Sequence, residues 1–200
     1  GFSGTSLVID FDSRSFAILL TNRVHPSREA GSVNPARQSW AQAMALAMPV
    51  PPTKGRTAWR TGLTDQTVST LDLPTDLKRR AHLRFNLFVD TESSDPFELQ
   101  VSRDGGKSWH NQPMTIRDRG AKEVVTNGTV AASGLRRWVK VRAELDPEVT
   151  MVRFKHTTDK MYLGRGVYVD NIQVRGGGAK LNTEKNPELL VAKGWRSSRT

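Results

Sequence analysis

The chain has 200 residues, 36% apolar and 25% charged, a balance that fits a folded globular protein and excludes a disordered one. It has no cysteine, which excludes disulfides, thiolate zinc sites, iron–sulfur clusters and a thiol nucleophile together. Lys plus Arg is 30 and Asp plus Glu is 20, so the net charge is +10, with most of the surplus after residue 100. Such a surplus suits an anionic partner, whether nucleic acid, cell-wall polymer or lipid surface, or is simply a solvated face. The densest basic clusters, Lys78-Arg79-Arg80 and Arg136-Arg137, each run straight into strand-like sequence, so no specific nucleic-acid partner is expected. No stretch approaches the roughly 18 apolar residues of a membrane span. The chain opens on Gly1-Phe2-Ser3-Gly4, without a methionine or a basic-then-apolar leader, and reads as the middle-to-end of something longer.

Residues 1–48 read as one unit. Thr5–Asp10 and Phe16–Asn22 are β-like apolar runs joined by the polar stretch Phe11–Ser15, which predicts an antiparallel hairpin. Both runs are continuously apolar instead of alternating, so both faces of the hairpin are expected to be covered. Asn34 then fits a helix N-cap and Pro35 a first helical residue, and Trp40, Ala43, Met44 and Ala47 follow at helical spacing. Three prolines and a glycine within Met48–Gly55 predict a stiff linker over residues 49–56.

From 57 to 175 the pattern is strands alone. Thr67–Leu73, His82–Val89, Phe97–Val101 and Val149–Phe154 alternate with period two, which gives each one wet face. Asn127-Gly128 predicts a two-residue hairpin between Val124–Thr126 and Thr129–Val130, and Asp104-Gly105-Gly106-Lys107 a second turn. The expected fold class is therefore mainly β: a hairpin plus helix, then a jelly-roll-like antiparallel sandwich. Residues 176–200 read as a tail, in which Asn186-Pro187 starts a short helix running to Lys193.

No complete catalytic constellation is visible. His25, His82, His110 and His156 lack metal-ligand spacing, and no phosphate loop, dinucleotide fingerprint or Gly-x-Ser-x-Gly elbow occurs. No metal site and no cofactor is assigned. Asp90, Glu92 and Asp170 have the chemistry of calcium ligands, with loop carboxylates that accept backbone N–H groups as the competing reading. Trp59, Trp109, Trp138 and Trp195 are available either for a sugar-stacking platform or for the core.

Gly1–Asp10, followed by Phe16-Ala17-Ile18-Leu19-Leu20-Thr21-Asn22-Arg23-Val24-His25-Pro26, resembles the end of the transpeptidase-like domain of penicillin-recognising serine hydrolases: class C β-lactamases, D-alanyl-D-alanine carboxypeptidases and related esterases. The resemblance implies that Gly1 is the third member of that family's Lys-Thr-Gly or His-Thr-Gly triplet. It implies that the backbone N–H of Phe2 supplies half of an oxyanion hole, and that Gly1, Ser3 and Gly4 line the substrate edge. The Ser-x-x-Lys and Tyr-x-Asn motifs of that family are absent, so the chain alone lacks nucleophile and base. The implied substrate of a parent enzyme is a β-lactam, peptide or ester, and the implied location is extracellular or cell-envelope.

Gln100–Trp109 and Gly164–Val174 resemble the paired signatures of accessory β-sandwiches that follow immune inhibitor A type metallopeptidases. That resemblance implies a binding or stabilising module with a glycan or cell-wall ligand. Asp104-Gly105-Gly106 would make its turn, Trp109 would cover the sandwich mouth, and Tyr168, Ile172 and Val174 would serve the closing strand. The alternative reading of the whole chain is a stand-alone carbohydrate- or protein-binding β-sandwich module of an exported enzyme.

Overall fold

The computed structural model describes residues 2–11, 14–29, 31–131, 136–160 and 163–199. The fold is mainly β, with one α-helix among the described residues, and it divides into two compact units, Gly1–Pro49 and Val50–Thr200.

In the first unit, β1 (Ser6–Asp10) pairs antiparallel with β2 (Ser15–Leu19), and α1 (Asn34–Ala47) follows. The helix begins at Asn34 itself, with Pro35 in its first turn. The Asn34 side chain accepts a bond from the Arg37 guanidinium (3.2 Å) instead of capping. The helix packs on β2, Ser15 Oγ donates to Met48 Sδ (3.2 Å), and Arg37 donates to the carbonyls of Gly4 (3.0 Å) and Thr5 (3.2 Å). The register puts Ser6, Val8, Asp10, Ser15, Ala17 and Leu19 on one face and Leu7, Ile9, Phe16 and Ile18 on the other. All four of the second set are more than half exposed. The expectation of two covered faces therefore fails within this unit, because it offers one helix and that helix covers one face.

The second unit contains β3 (Ala58–Thr61), β4 (Val68–Pro74), β5 (Ala81–Asp90), β6 (Phe97–Ser102), β7 (His110–Asn111), β8 (Met114–Arg117), β9 (Val124–Thr126), β10 (Thr129–Val130), β11 (Val139–Leu145), β12 (Met151–Thr157), β13 (Gly166–Gly176), β14 (Ala179–Asn182), β15 (Val191–Lys193) and β16 (Arg196–Ser198). One sheet runs β10-β6-β12-β4-β15, with β7 on β6, and the other β16-β3-β13-β5-β11-β8-β9, with β14 on β13. All pairings are antiparallel, and the two sheets enclose a continuous core as a β-sandwich.

Alternation sends Leu83, Phe85, Leu87 and Val89 of β5 inward to meet Leu71, Leu73, Leu99, Val152 and Phe154 of the opposite sheet, all nearly inaccessible. Phe85 meets Phe154 edge-on, with centroids 5.0 Å apart and planes at 84°. Where β13 and β3 cross, an alanine Cβ on Gly166 would lie 2.1 Å from the Thr61 carbonyl oxygen, and its φ is +85°, so only glycine fits.

Three expectations change. Asn127-Gly128 is not a hairpin, because β9 pairs with β8 in one sheet and β10 with β6 in the other; the dipeptide crosses between layers. Glycine is needed at 128 because a Cβ there would lie 2.6 Å from the Gln112 carbonyl oxygen. Residues 50–54, expected in the linker, pack on the sandwich: Val50 is buried with Ala58, Phe88 and Tyr168, and the Trp138 indole N–H donates to the Pro51 carbonyl (3.0 Å). Residues 176–200, expected as a tail, carry a 3-10 turn at Pro187–Leu189 and supply β14, β15 and β16 to the two sheets, with Trp195 in the core.

His156, on the inward face of β12, is only 1% exposed, and burial pushes its imidazole down to about 4. As pH falls from ~6.5 toward 4 the unfolded chain takes up a proton that the folded chain does not, so stability falls by about 3 kcal/mol. Asp95, raised by burial, acts in the opposite sense, so the effect is read as a difference from a variant. Chemical unfolding across that range is expected to show a flatter pH slope for His156→Leu than for the parent. Equal slopes would refute the assignment.

Candidate functional site

The segment singled out by the hydrolase resemblance lies ahead of β1. Gly1 is outside the described residues. Phe2 is 68% exposed and sits under the Arg28 guanidinium at 5.5 Å, while Ser3 bonds Thr5 through its hydroxyl (3.2 Å). The Ser3 carbonyl accepts from the Arg23 N–H and the Thr21 hydroxyl, both at 2.9 Å. Gly4 is buried, and at φ +97° its Cβ would lie 2.2 Å from Thr21 Oγ1, so its glycine is required by packing.

The sandwich carries a more extensive feature. On the outer face of the larger sheet, register aligns Gln173, Arg84, Arg142 and Thr115 in one row across β13, β5, β11 and β8, and Asn86, Lys140 and Arg117 in the next. These side chains, with Glu123 and Asn171, line an open groove of about 420 Å³ floored by Phe85 and Val141. A bulge between Asp170 and Gln173, with Asn171 at φ +52°, interrupts the β13 ladder there. The Gln173 amide donates to Asn171 Oδ1 (2.7 Å), and Arg142 pairs with Glu123 (2.7 Å). Four basic side chains against one acid leave the groove positive, and its amides and hydroxyl add neutral hydrogen-bonding groups. Sequence reading missed this site because the residues are far apart along the chain.

The upper half of the same face is closed. Tyr168 packs edge to face with Phe88 and Trp138, which are tilted against each other, with centroids 5.6–6.3 Å apart. Arg165, stacked on Phe88 at 5.0 Å, donates to Asp90 at 2.6 Å; both are about 4% exposed, and Arg136 approaches Asp90 at 3.1 Å.

The calcium triplet considered from sequence does not form. Asp90 is held by these arginines, while Asp170 accepts from the Thr53 N–H (2.6 Å), the Thr53 hydroxyl (2.5 Å), the Lys54 N–H (2.9 Å) and the Asn171 N–H (2.8 Å). None of Trp59, Trp109, Trp138 and Trp195 forms an exposed platform. Trp195 is buried, Trp59 packs against the core, and Trp138 covers Phe88. Trp109 lies under Arg153 at 3.7 Å on the outer face of the smaller sheet, not at the sandwich mouth. Asp104 does make the expected turn, accepting from the Lys107 and Ser108 N–H groups and the Ser102 and Ser108 hydroxyls. These bonds hold its carboxyl well below the usual range.

Breaking the buried pair at the closed end isolates a charge. Arg165→Met is expected to cost about 3 kcal/mol in urea unfolding, with Asp90→Leu in the same chain recovering part of it. A cost under ~1 kcal/mol would show that Arg136 suffices.

No family model matches the sequence, and no curated protein matches it.

Proposed function

We propose that this chain is the C-terminal part of an exported serine hydrolase of the penicillin-recognising type, joined to a β-sandwich that holds the enzyme against an anionic polysaccharide. The observation that carries the sandwich half is the groove: Arg84, Arg117, Lys140 and Arg142 for carboxylates or other anionic substituents, and Asn86, Thr115, Asn171 and Gln173 for ring hydroxyls. A neutral glycan held by stacking fits less well, because the tryptophans are committed to packing or to Arg153.

The hydrolase half draws its support from the Gly1–Pro26 resemblance and from the first unit, whose hairpin has one apolar face bare. A larger sheet flanked by further helices would cover that face. Acyl transfer to a β-lactam, peptide or ester would require the serine, lysine and tyrosine of the upstream motifs, with Phe2 N–H as one oxyanion donor. The chain alone is therefore expected to give no hydrolysis of a chromogenic β-lactam or short-chain ester above buffer. Turnover abolished by Ser3→Ala would refute this. The deciding sequence is the upstream coding region, where Ser-x-x-Lys, Tyr-x-Asn and then Lys-Thr or His-Thr directly before Gly1 are expected. Their absence overturns the hydrolase half and leaves the sandwich half standing.

For the groove, binding of the chain to polygalacturonate should weaken about tenfold between 50 and 200 mM salt, as release of a few counterions requires. Arg84→Ser with Lys140→Ser should weaken it about tenfold again at low salt, with unchanged thermal stability. Unaltered binding by the double variant, equal binding of a neutral glucan, or tighter binding of duplex DNA would each overturn the polysaccharide reading.

A further inference from the structure

Glu92 and Asp95, from the loop between β5 and β6, and Asp159, just past the end of β12, bring one carboxylate oxygen each to within 4.8 Å of one another. Carboxylate oxygens bound to one calcium ion at about 2.4 Å lie at most ~4.8 Å apart, so the spacing admits one shared hard cation. Asp95 carries the argument, since Glu92 and Asp159 also engage other groups. Asp95 is only 1% exposed; its Oδ1 accepts the Asp159 N–H at 2.8 Å, and its Oδ2 is buried with no hydrogen-bond partner. A buried carboxylate oxygen without a donor is costly.

The positions are well defined. The Asp95 N–H donates to the Glu92 carbonyl (3.1 Å), the Thr91 hydroxyl to the Asp95 carbonyl (3.1 Å), and the Gln66 N–H to the Asp159 carbonyl (2.9 Å). We propose that Glu92, Asp95 and Asp159 form a site for a divalent hard cation of the calcium class, which ties the β5–β6 loop to the segment after β12. Oxygen-only ligands on irregular loops suit calcium, with its flexible coordination, better than magnesium, which demands a near-ideal octahedron.

The test uses the full chain, stripped with EDTA and desalted, in calcium and magnesium titrations by calorimetry and in thermal melts. One calcium per chain and a rise of several degrees in the sandwich melting temperature at 5 mM calcium are expected, with a smaller rise in magnesium. Asp95→Asn keeps the acceptor for the Asp159 N–H and removes the charge. It should melt at or above the parent in EDTA and lose the calcium-dependent rise. Glu92→Gln, at a half-buried position, should weaken calcium binding at least tenfold and serves if the Asp95 variant does not fold. Glu184→Gln, beside Asp170, should bind calcium like the parent. Absence of heat and of any melting shift at 5 mM calcium, an undiminished response in Asp95→Asn or Glu92→Gln, or a response lost only in Glu184→Gln would overturn the proposal.

Discussion

Strand β5 imposes the constraint on which the sandwich depends: successive side chains leave on opposite faces, and the strand is central, paired with β13 on one edge and β11 on the other. Leu83, Phe85, Leu87 and Val89 must all face the opposite sheet, which locks the register, because a one-residue slip would bury Arg84 and Asn86 and expose four core residues. With the register locked, the outer face is determined as well. His82, Arg84, Asn86, Phe88 and Asp90 line up along it, and their neighbours on β11 and β13 are fixed by the same ladder. One face thereby acquires a wet basic end and a dry aromatic end, divided near Asn86, whose amide donates to the Thr53 hydroxyl at 2.6 Å.

The carboxylates show how surroundings give one functional group different roles. Asp72 takes a two-pronged contact from Arg153 at 2.7 and 2.8 Å, which also sets the guanidinium that lies over Trp109. Asp90 neutralises arginine inside the aromatic cluster, and Asp170 gathers N–H and hydroxyl donors from residues 53 and 54, fastening that segment across the sheet. Asp95 differs: its near neighbours are other acids, and half of its carboxylate lacks a donor. The three satisfied aspartates have donors for their carboxylates, whereas Asp95 keeps one buried oxygen without any.

Elements with strict period-two alternation were legible in the sequence. β4, β5 and β6 fall within a residue or two of where their apolar positions place them, and β12 overlaps its predicted span but runs on to Thr157, because one buried face suffices to define such a strand. Features that depend on pairing were not. Asn127-Gly128 has the composition of a tight hairpin, yet its glycine answers a close approach to Gln112, a contact between residues that no local pattern connects. The short strands β14, β15 and β16 lack an apolar rhythm long enough to distinguish them from a tail; they are strands because open edges of β13, β4 and β3 receive them. The groove was hidden for the same reason. Arg84, Arg117 and Lys140 look like dispersed solvated charges until the ladder sets them side by side.

The two units differ in how much of their apolar surface they bury. The sandwich closes two sheets over a continuous core and covers the Phe88 and Tyr168 cluster with residues from 50 onward, leaving dispersed valines such as Val68, Val125 and Val191 exposed. The hairpin and helix leave Leu7, Ile9, Phe16 and Ile18 to water, although a two-stranded sheet is marginal by itself and needs a second layer on each apolar face. The continuously apolar strands gave an expectation of two-sided burial that this unit does not meet, because its helix covers one face of the hairpin and leaves the other exposed.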